Sequence, residues 1–215
     1  MIGIVDYNAG NIKSVERALE QLQIPYLVSK NPKDLAKVSK VIFPGVGEAK
    51  YAMEQLSLSG FDSFLKDWTQ ANKPLLGICL GSQIIFDYSE EGDVKCLGLI
   101  PGKIKHFSSL LPNTEQHIKI PHMGWNSVEF TSNQNEQEQN IFSHIPQNSD
   151  FYFVHSYVIQ PEDSSVITGI AQYGIQVPAS IHYNSIYAMQ FHPEKSGLCG
   201  LQILKNFAKM QDRIC

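Results

Sequence analysis

The 215-residue sequence lacks the features that mark several large classes of protein. It has no apolar run approaching the ~20 residues that a membrane-spanning helix requires. Its net charge of −4 gives no electrostatic reason to expect a nucleic acid or an anionic membrane as a partner. It contains no Walker loop, no Gly-x-Gly-x-x-Gly motif and no His-x-x-x-His metal spacing. We therefore expect no cofactor and no metal.

Cysteine is scarce, and no two cysteines are closely spaced in the sequence. The four cysteines, Cys79, Cys96, Cys199 and Cys215, form no Cys-x-x-Cys motif. The first residues, Met1-Ile-Gly-Ile-Val, predict a strand and lack the basic region and long apolar stretch of a signal peptide. Because a reactive thiol needs reducing surroundings, we expect a cytoplasmic protein.

What the sequence does contain is an alternation of strand and helix patterns. Its length is ample for one domain with a substantial core, and no shift in composition divides residues 1–215. Strands and helices alternate at 2–6 (strand), 12–23 (helix), 26–29 (strand), 31–35 (helix) and 40–43 (strand). This order predicts an α/β fold with a doubly wound, mostly parallel sheet flanked by helices.

The second half is expected to add a β-rich antiparallel region. After two helices at 49–58 and 61–71, short strand patterns separated by turns are found at 103–107, 117–120, 127–130, 151–154, 166–172, 178–182 and 186–191. The polar segment 131–140 predicts an exposed loop without a role in chemistry. An amphipathic helix at 200–211 closes the chain.

One short stretch near the middle points to catalysis. The apolar run 75–78 is typical of a buried strand, and residues 82–87 are predicted to begin a helix. Between them, Cys79 is flanked by Gly77 and Gly81, as the serine is in the nucleophile elbow G-x-S-x-G. The nearby helix N-terminus favours a thiolate. A buried, inert cysteine is the alternative interpretation of this segment alone.

A second motif near the C-terminus supplies the partners that a nucleophile needs. His192 and Glu194 follow the strand predicted at 186–191, and in an extended segment both would project to the same side of Pro193. Together with Cys79 they predict a catalytic triad of nucleophile, base and orienting carboxylate. A surface histidine beside a solvated glutamate is the alternative for His-Pro-Glu taken alone.

In combination, Gly77-Ile-Cys-Leu-Gly-Ser-Gln83 and Gln190-Phe-His-Pro-Glu194 resemble the class I (triad) glutamine amidotransferases. Four further segments narrow the resemblance to the glutaminase subunits of imidazole glycerol phosphate synthases: Asp6-Tyr-Asn-Ala-Gly-Asn-Ile12, Phe43-Pro-Gly-Val-Gly47, Pro121-His-Met-Gly-Trp-Asn126 and Val154-His-Ser-Tyr157. The similarity runs nearly end to end. Ser82 departs from it, since the family commonly has methionine there, next to the glutamine site.

The resemblance implies hydrolysis of L-glutamine at Cys79, with His192 and Glu194 as the other triad members. It implies an oxyanion hole made by the amides of Val46 and Leu80, for which the Val46 peptide has to flip. A plain turn is the alternative for residues 44–47, since Pro-Gly dipeptides are common in loops. By the same resemblance, the residues that bind glutamine are Gly47, Gln83, Ser156 and Tyr157.

The resemblance also implies a partner. The family's glutaminase subunits pair as heterodimers with a (βα)₈-barrel cyclase subunit, which combines the ammonia with a phosphoribosyl substrate. The residues expected at that interface are Trp125, Asn126, Tyr152 and Lys195. For Trp125 and Tyr152, packing within a sheet is the alternative.

Two other functions stay open at this point. The same chemistry could serve a different ammonia acceptor, since paralogous pairs supply a nucleotide-sugar pathway of surface-polysaccharide synthesis. Alternatively, the chain is a non-enzymatic scaffold with a relic site, against which the intact triad argues. Neighbouring genes would distinguish the first alternative, and a glutaminase assay with the partner would decide the second.

Overall fold

A computed structural model describes residues 1–8, 11–111, 118–131 and 140–210. Its strands are β1 (Ile2–Val5), β2 (Tyr26–Ser29), β3 (Lys40–Gly45), β4 (Leu75–Cys79), β5 (Tyr88–Ser89), β6 (Val94–Lys95), β7 (Gly102–His106), β8 (His122–Phe130), β9 (Ser149–His155), β10 (Tyr157–Pro161), β11 (Ile167–Gln172), β12 (Gln176–Tyr183) and β13 (Ile186–Met189). Its helices are α1 (Ile12–Gln21), α2 (Pro32–Leu35), α3 (Ala49–Ser59), α4 (Phe61–Gln70), α5 (Leu80–Gln83), α6 (Phe107–Leu110) and α7 (Gly197–Lys209), with 3₁₀ turns at Ser164–Val166 and Pro193–Lys195.

A nine-stranded sheet in the order β2-β1-β3-β4-β13-β12-β11-β8-β9 organises the described residues. Pairing is parallel from β2 to β13 and antiparallel from β13 to β9. A smaller sheet has the order β10-β7-β5-β6. The predicted α/β class, a parallel sheet with an added antiparallel region, is confirmed.

Helices cover both faces of the parallel half of the sheet, and β4 is buried on both faces. Leu75 packs into the cluster that includes Leu56 of α3, whereas its neighbour Leu76 packs into the cluster that includes Leu19 of α1 and Phe207 of α7. All five side chains are fully buried. A strand with two buried faces has a continuous apolar sequence rather than an alternating one, as residues 75–78 do.

The helix predicted to begin near Ser82 is placed wrongly. Helix α5 starts at Leu80, directly after the cysteine, and ends at Gln83. The carbonyl oxygens of residues 84–86 accept hydrogen bonds from the N–H groups of residues 97–99, at 2.8–2.9 Å. Because these carbonyls are used by a distant segment, they cannot accept from the next turn of a helix, and α5 stops.

The strand predicted at 117–120 is also wrong where it can be checked. Residue 117 lies outside the described part of the chain, and residues 118–120 belong to no strand. Instead of pairing in a ladder, the Lys119 carbonyl accepts a hydrogen bond from the Tyr173 hydroxyl at 2.8 Å. Most of the polar segment 131–140 (residues 132–139) likewise lies outside the described residues. No helix in the described ranges is long and apolar enough to cross a membrane.

Candidate active site

Cys79 sits at a sharp corner between β4 and α5. It ends β4 with φ 55° and ψ −113°, a positive-φ backbone conformation that residues other than glycine rarely adopt. Two neighbouring glycines make the corner possible. A Cβ on Gly81 would clash with the carbonyl oxygen of Phe43 in β3, and one on Gly77 would lie 2.9 Å from the Gly81 carbonyl oxygen. The segment therefore has the geometry of a nucleophile elbow.

His192 and Glu194 lie beside this corner because β13 pairs with β4, with Met189 opposite Ile78. The two side chains meet at 2.8 Å, between His192 Nδ1 and Glu194 Oε1, and both are almost completely buried. Their meeting does not come from an extended segment, as the sequence suggested. Residues 193–195 form a 3₁₀ turn, which brings the carboxylate back towards the imidazole.

The environment of His192 prepares it to hold a proton. Burial lowers the pKa of the imidazole, but interactions with the Cys79 thiol and the Glu194 carboxylate outweigh burial and raise the pKa to about 10. His192 Nε2 is buried, and no group in the described ranges forms a hydrogen bond of regular geometry with it. That nitrogen is therefore the one available for proton transfer to a reacting group.

Ser196 was missed by sequence reasoning, yet it fixes the backbone that carries His192. Its hydroxyl donates to the His192 carbonyl at 2.6 Å and accepts from the Tyr152 N–H at 3.0 Å. The His192 N–H donates in turn to the Tyr152 carbonyl at 2.9 Å. No sequence signal beyond a serine near the His-Pro-Glu motif marks this role.

A cleft of about 310 Å³ opens over Cys79 and His192. It is also lined by all six residues expected in the oxyanion hole and the glutamine site: Val46, Gly47, Leu80, Gln83, Ser156 and Tyr157. Val46 and Leu80 each follow one member of the β3–β4 register pair Gly45 and Cys79, so both leave the sheet at the same edge. The structure thus collects at one place residues that are far apart in the sequence, from Val46 to Lys195.

Glu91 lines the same cleft and was not among the residues predicted for the site. Its Oε2 accepts a hydrogen bond from the Ala49 N–H at 2.9 Å. Burial raises the pKa of this carboxyl, an effect that the Ala49 N–H partly offsets and that nearby Glu48 reinforces. An acidic group on the cleft wall is suited to binding a cationic part of a ligand.

The side chain of Gln83 has one group left for a ligand. Its Nε2 donates to the Tyr157 carbonyl at 3.0 Å and to Oε1 of Gln190 at 2.8 Å. Since both amide hydrogens are used within the protein, the carbonyl oxygen of Gln83 is the group that remains for a molecule in the cleft.

The four residues expected at a partner interface lie at β8, β9 and the end of the 3₁₀ turn. Trp125 is 58% exposed and meets Tyr152 edge to face, with ring centroids 6.1 Å apart. Lys195 Nζ lies 6.0 Å from the Tyr152 ring centroid and also lines the cleft. Asn126 differs from the others, because its amide donates to the Gln172 carbonyl at 3.0 Å and contacts His122.

The remaining cysteines and histidines form no metal site in the residues that the structure describes. Burial, reinforced by two nearby carboxylates, raises the pKa of the Cys96 thiol to about 12, which suits an inert cysteine. Cys215 and His117 lie outside the described ranges. His122 and His155, which no sequence pattern connects, form a buried pair with 2.9 Å between ring nitrogens.

An α/β sheet with a cysteine at a nucleophile elbow and a His–Glu pair beside it defines a cysteine-dependent acyl-transfer enzyme. The family model for class-I glutamine amidotransferases matches residues 3–210, and the chain belongs to that family.

Curated relatives and solved structures agree with this family. The chain is 44% identical over 211 residues to the imidazole glycerol phosphate synthase subunit HisH of Maridesulfovibrio salexigens, covering 96% of this chain and 95% of that protein. It is 42% identical to the HisH subunit of Acinetobacter baylyi, covering 97% of each. A crystal structure of a glutamine amidotransferase aligns with a TM-score of 0.70 at 16% identity, covering 96% of this chain and 98% of that one, and supports the fold alone.

Proposed function

We propose that this chain is the glutaminase subunit of an imidazole glycerol phosphate synthase in histidine biosynthesis. It hydrolyses L-glutamine to glutamate and ammonia, and the ammonia passes to a (βα)₈-barrel cyclase subunit in a heterodimer. The observation that carries the proposal is the buried arrangement of Cys79, His192 and Glu194 beneath one cleft. The full-length similarity to HisH subunits supports the choice of pathway.

The reaction begins when Cys79 Sγ, as the thiolate, attacks the carboxamide carbon of glutamine. The carbonyl oxygen then takes up the negative charge and receives hydrogen bonds from the amides of Val46 and Leu80. The parallel positions of these two residues after β3 and β4 support this role. The Val46 peptide flips to complete the pair, since glycines on both sides leave its backbone free to rotate.

His192 completes the reaction by moving protons. An amide nitrogen cannot leave as an anion, so His192 Nε2 protonates it as the carbon–nitrogen bond breaks and ammonia departs. The now neutral imidazole takes a proton from water, which attacks the γ-glutamyl thioester and releases glutamate and the Cys79 thiolate, so that the starting protonation state is restored. Glu194 holds the ring in position from Nδ1 throughout, at 2.8 Å.

Glutamine is held by groups around the cleft that match its charges. The carboxylate of Glu91 and the carbonyl oxygen of Gln83 are acceptors for the α-ammonium group. Gly47 and the backbone of Ser156 and Tyr157 hold the remainder of the substrate. Ser82, fully buried, donates to the Cys79 carbonyl at 2.6 Å, so the departure from the family's methionine adds a bond at the elbow.

The proposal is tested by replacing the nucleophile in the complete heterodimer. Cys79→Ala is expected to abolish synthesis of imidazole glycerol phosphate from glutamine, while ammonia supplied directly still supports synthesis at the wild-type rate. Both rates are measured by product formation, with circular dichroism as the control for folding. Glutamine hydrolysis at the wild-type rate in Cys79→Ala would rule out the nucleophile. Ammonia transfer to a nucleotide sugar, but not to a phosphoribosyl substrate, would instead support the paralogous pathway.

A further inference from the structure

Two buried histidines outside the triad are linked into a chain of hydrogen bonds. His122 and His155 are directly opposite each other in the β8–β9 register and are 2% and 6% exposed. His122 Nδ1 lies 2.9 Å from His155 Nε2. At one end of the pair, His155 Nδ1 lies 2.7 Å from the Tyr157 carbonyl oxygen. At the other end, Asn126 Nδ2 lies 3.1 Å from His122 Nε2.

The positions of the protons in this chain follow from one fixed acceptor. The Tyr157 carbonyl can only accept, so His155 Nδ1 carries the hydrogen and His155 Nε2 of the neutral ring is an acceptor. His122 Nδ1 must then carry a hydrogen, and His122 Nε2 accepts from the Asn126 amide. One assignment, with both rings neutral and both protonated at Nδ1, satisfies every contact.

Aromatic packing holds both rings in this geometry. His122 is stacked between Phe153 and Tyr173, with centroid distances of 4.6 and 4.0 Å. Phe107 packs against His155 at 5.3 Å. Since neither ring can turn without disturbing these neighbours, the hydrogen bonds are held in one direction.

The same burial keeps both rings neutral. It lowers the pKa of His122 to about 4. Burial also lowers the pKa of His155 to about 3, an effect that the bond to Tyr157 opposes and that His122 and His192 reinforce. Near neutral pH both rings are therefore neutral, as the chain of hydrogen bonds requires.

The chain of hydrogen bonds ends at a bend in the backbone, at residues 155–157, that lines the active-site cleft. At Ser156 the backbone passes from β9, in the nine-stranded sheet, to β10, in the smaller sheet. The hydrogen bond from His155 Nδ1 to the Tyr157 carbonyl spans this bend and links its two sides. The same carbonyl accepts from Gln83 Nε2 at 3.0 Å, so it also fixes which way the Gln83 amide points.

We propose that His155 and, behind it, His122 are positioning residues for glutamine. They hold the Tyr157 carbonyl, and through it the side chain of Gln83, in the orientation that presents the Gln83 carbonyl oxygen to the substrate. This inference rests on the proposed glutamine site. His155 lines the cleft, but neither histidine belongs to the triad, so the expected effect is on substrate binding rather than on the chemical step.

The test is the steady-state kinetics of glutamine hydrolysis by the complete heterodimer. His155→Leu removes the donor to Tyr157 and is expected to raise KM for glutamine about tenfold, with kcat changed by less than about twofold. His155→Asn, whose amide nitrogen lies where Nδ1 was, is expected to restore most of the affinity. His182→Leu is the matched control, because its ring also lies 2.9 Å from a carbonyl two residues on, that of Asn184, but outside the cleft.

An unchanged KM in His155→Leu, or a loss confined to kcat, would overturn the inference. Where His155→Leu does not fold, nitrogen NMR of the ¹⁵N-histidine-labelled wild type decides instead, and a proton on Nε2 of either ring would break the chain. Failure of the proposed function is distinguishable, because the wild-type heterodimer itself would then release no glutamate.

Discussion

At the scale of the residue, Cys79 is held in a conformation that its own side chain opposes. A non-glycine residue at φ 55°, ψ −113° costs on the order of 1–3 kcal/mol. The position is buried between β4 and α5, so the surrounding structure imposes it. The strain presents the thiol to the cleft, where His192 Nε2 is available.

This strain predicts an inverted order of stability at the nucleophile. The free energy of unfolding of Cys79→Gly is expected to be about 1 kcal/mol higher than that of Cys79→Ala, because glycine adopts positive φ without a Cβ clash. Urea unfolding of the two variants measures the difference. The same pair at Cys96, whose φ is not positive, is the control and should show alanine as the more stable residue. Alanine more stable than glycine at both positions would contradict the strain.

At the scale of the element, the elbow depends on the close approach of α5 to β3. Gly81 faces the Phe43 carbonyl with no room for a Cβ, whereas a Cβ at Gly77 would meet the Gly81 carbonyl oxygen at 2.9 Å, a smaller overlap with backbone. Leu80 begins α5 and Val46 follows β3, so the packing of these two elements controls how close the two amides proposed for the oxyanion hole can come.

Gly81→Ala is therefore expected to be more damaging than Gly77→Ala. The first substitution forces β3 and α5 apart and should lower the free energy of unfolding by about 3 kcal/mol, against about 1 kcal/mol for the second. The displaced β3 loop should also reduce kcat for glutamine hydrolysis. Chemical denaturation and steady-state assays of both variants measure these effects. Equal stability of Gly81→Ala and the wild type would show that the two elements are not in close contact.

A helix or strand can be predicted from the sequence when the interactions that form it lie within a few residues. The apolar run of β4, the glycines at the elbow and the Pro32 start of α2 act within a few residues, and these features are readable from sequence. The early end of α5 comes from bonds to residues 97–99, and the two-residue strand β5 is paired not only with its neighbour β6 but also with β7, further along the chain. Such long-range bonds leave no periodic pattern.

The candidate site divides in the same way. Cys79, His192 and Glu194 stand in short motifs whose chemistry is recognisable from residue type and spacing. Glu91 stands in no such motif, and the family segments that contain His122 and His155 do not indicate that the two rings pair, because these roles arise only where the cleft and the β8–β9 ladder bring the residues into contact.

At the scale of the whole molecule, exposed apolar groups gather next to the cleft. Met123 and Trp125 are 61% and 58% exposed on β8. Tyr152 of the neighbouring strand contacts Trp125, and Lys195 lies at 6.0 Å from the Tyr152 ring. The backbone of Tyr152 also accepts a hydrogen bond from the His192 N–H and donates one to the Ser196 hydroxyl. A cyclase subunit bound to this patch would therefore be connected to the triad through one strand.

This connection, together with the glycine loop of Val46, predicts that the isolated chain is a weak glutaminase. The cyclase subunit and then its phosphoribosyl ligand are each expected to raise glutamate release, to a total of about 10²–10³-fold, since one missing oxyanion donor costs about that much. The measurement is steady-state glutamate release by the chain alone, with the cyclase subunit, and with cyclase subunit plus ligand. Equal rates in all three would mean that the oxyanion hole is already formed.

Lys195→Ala should weaken this stimulation more than the basal rate, because Lys195 is exposed beside Tyr152 and outside the triad. Asn126→Ala is a less direct probe, since its amide is bonded to Gln172 and His122 within the chain and its loss should also raise KM for glutamine. Lys66→Ala, at an exposed lysine on α4, is the control and should leave stimulation unchanged. A Lys195→Ala heterodimer stimulated as strongly as the wild type would remove Lys195 from the coupling between the two subunits.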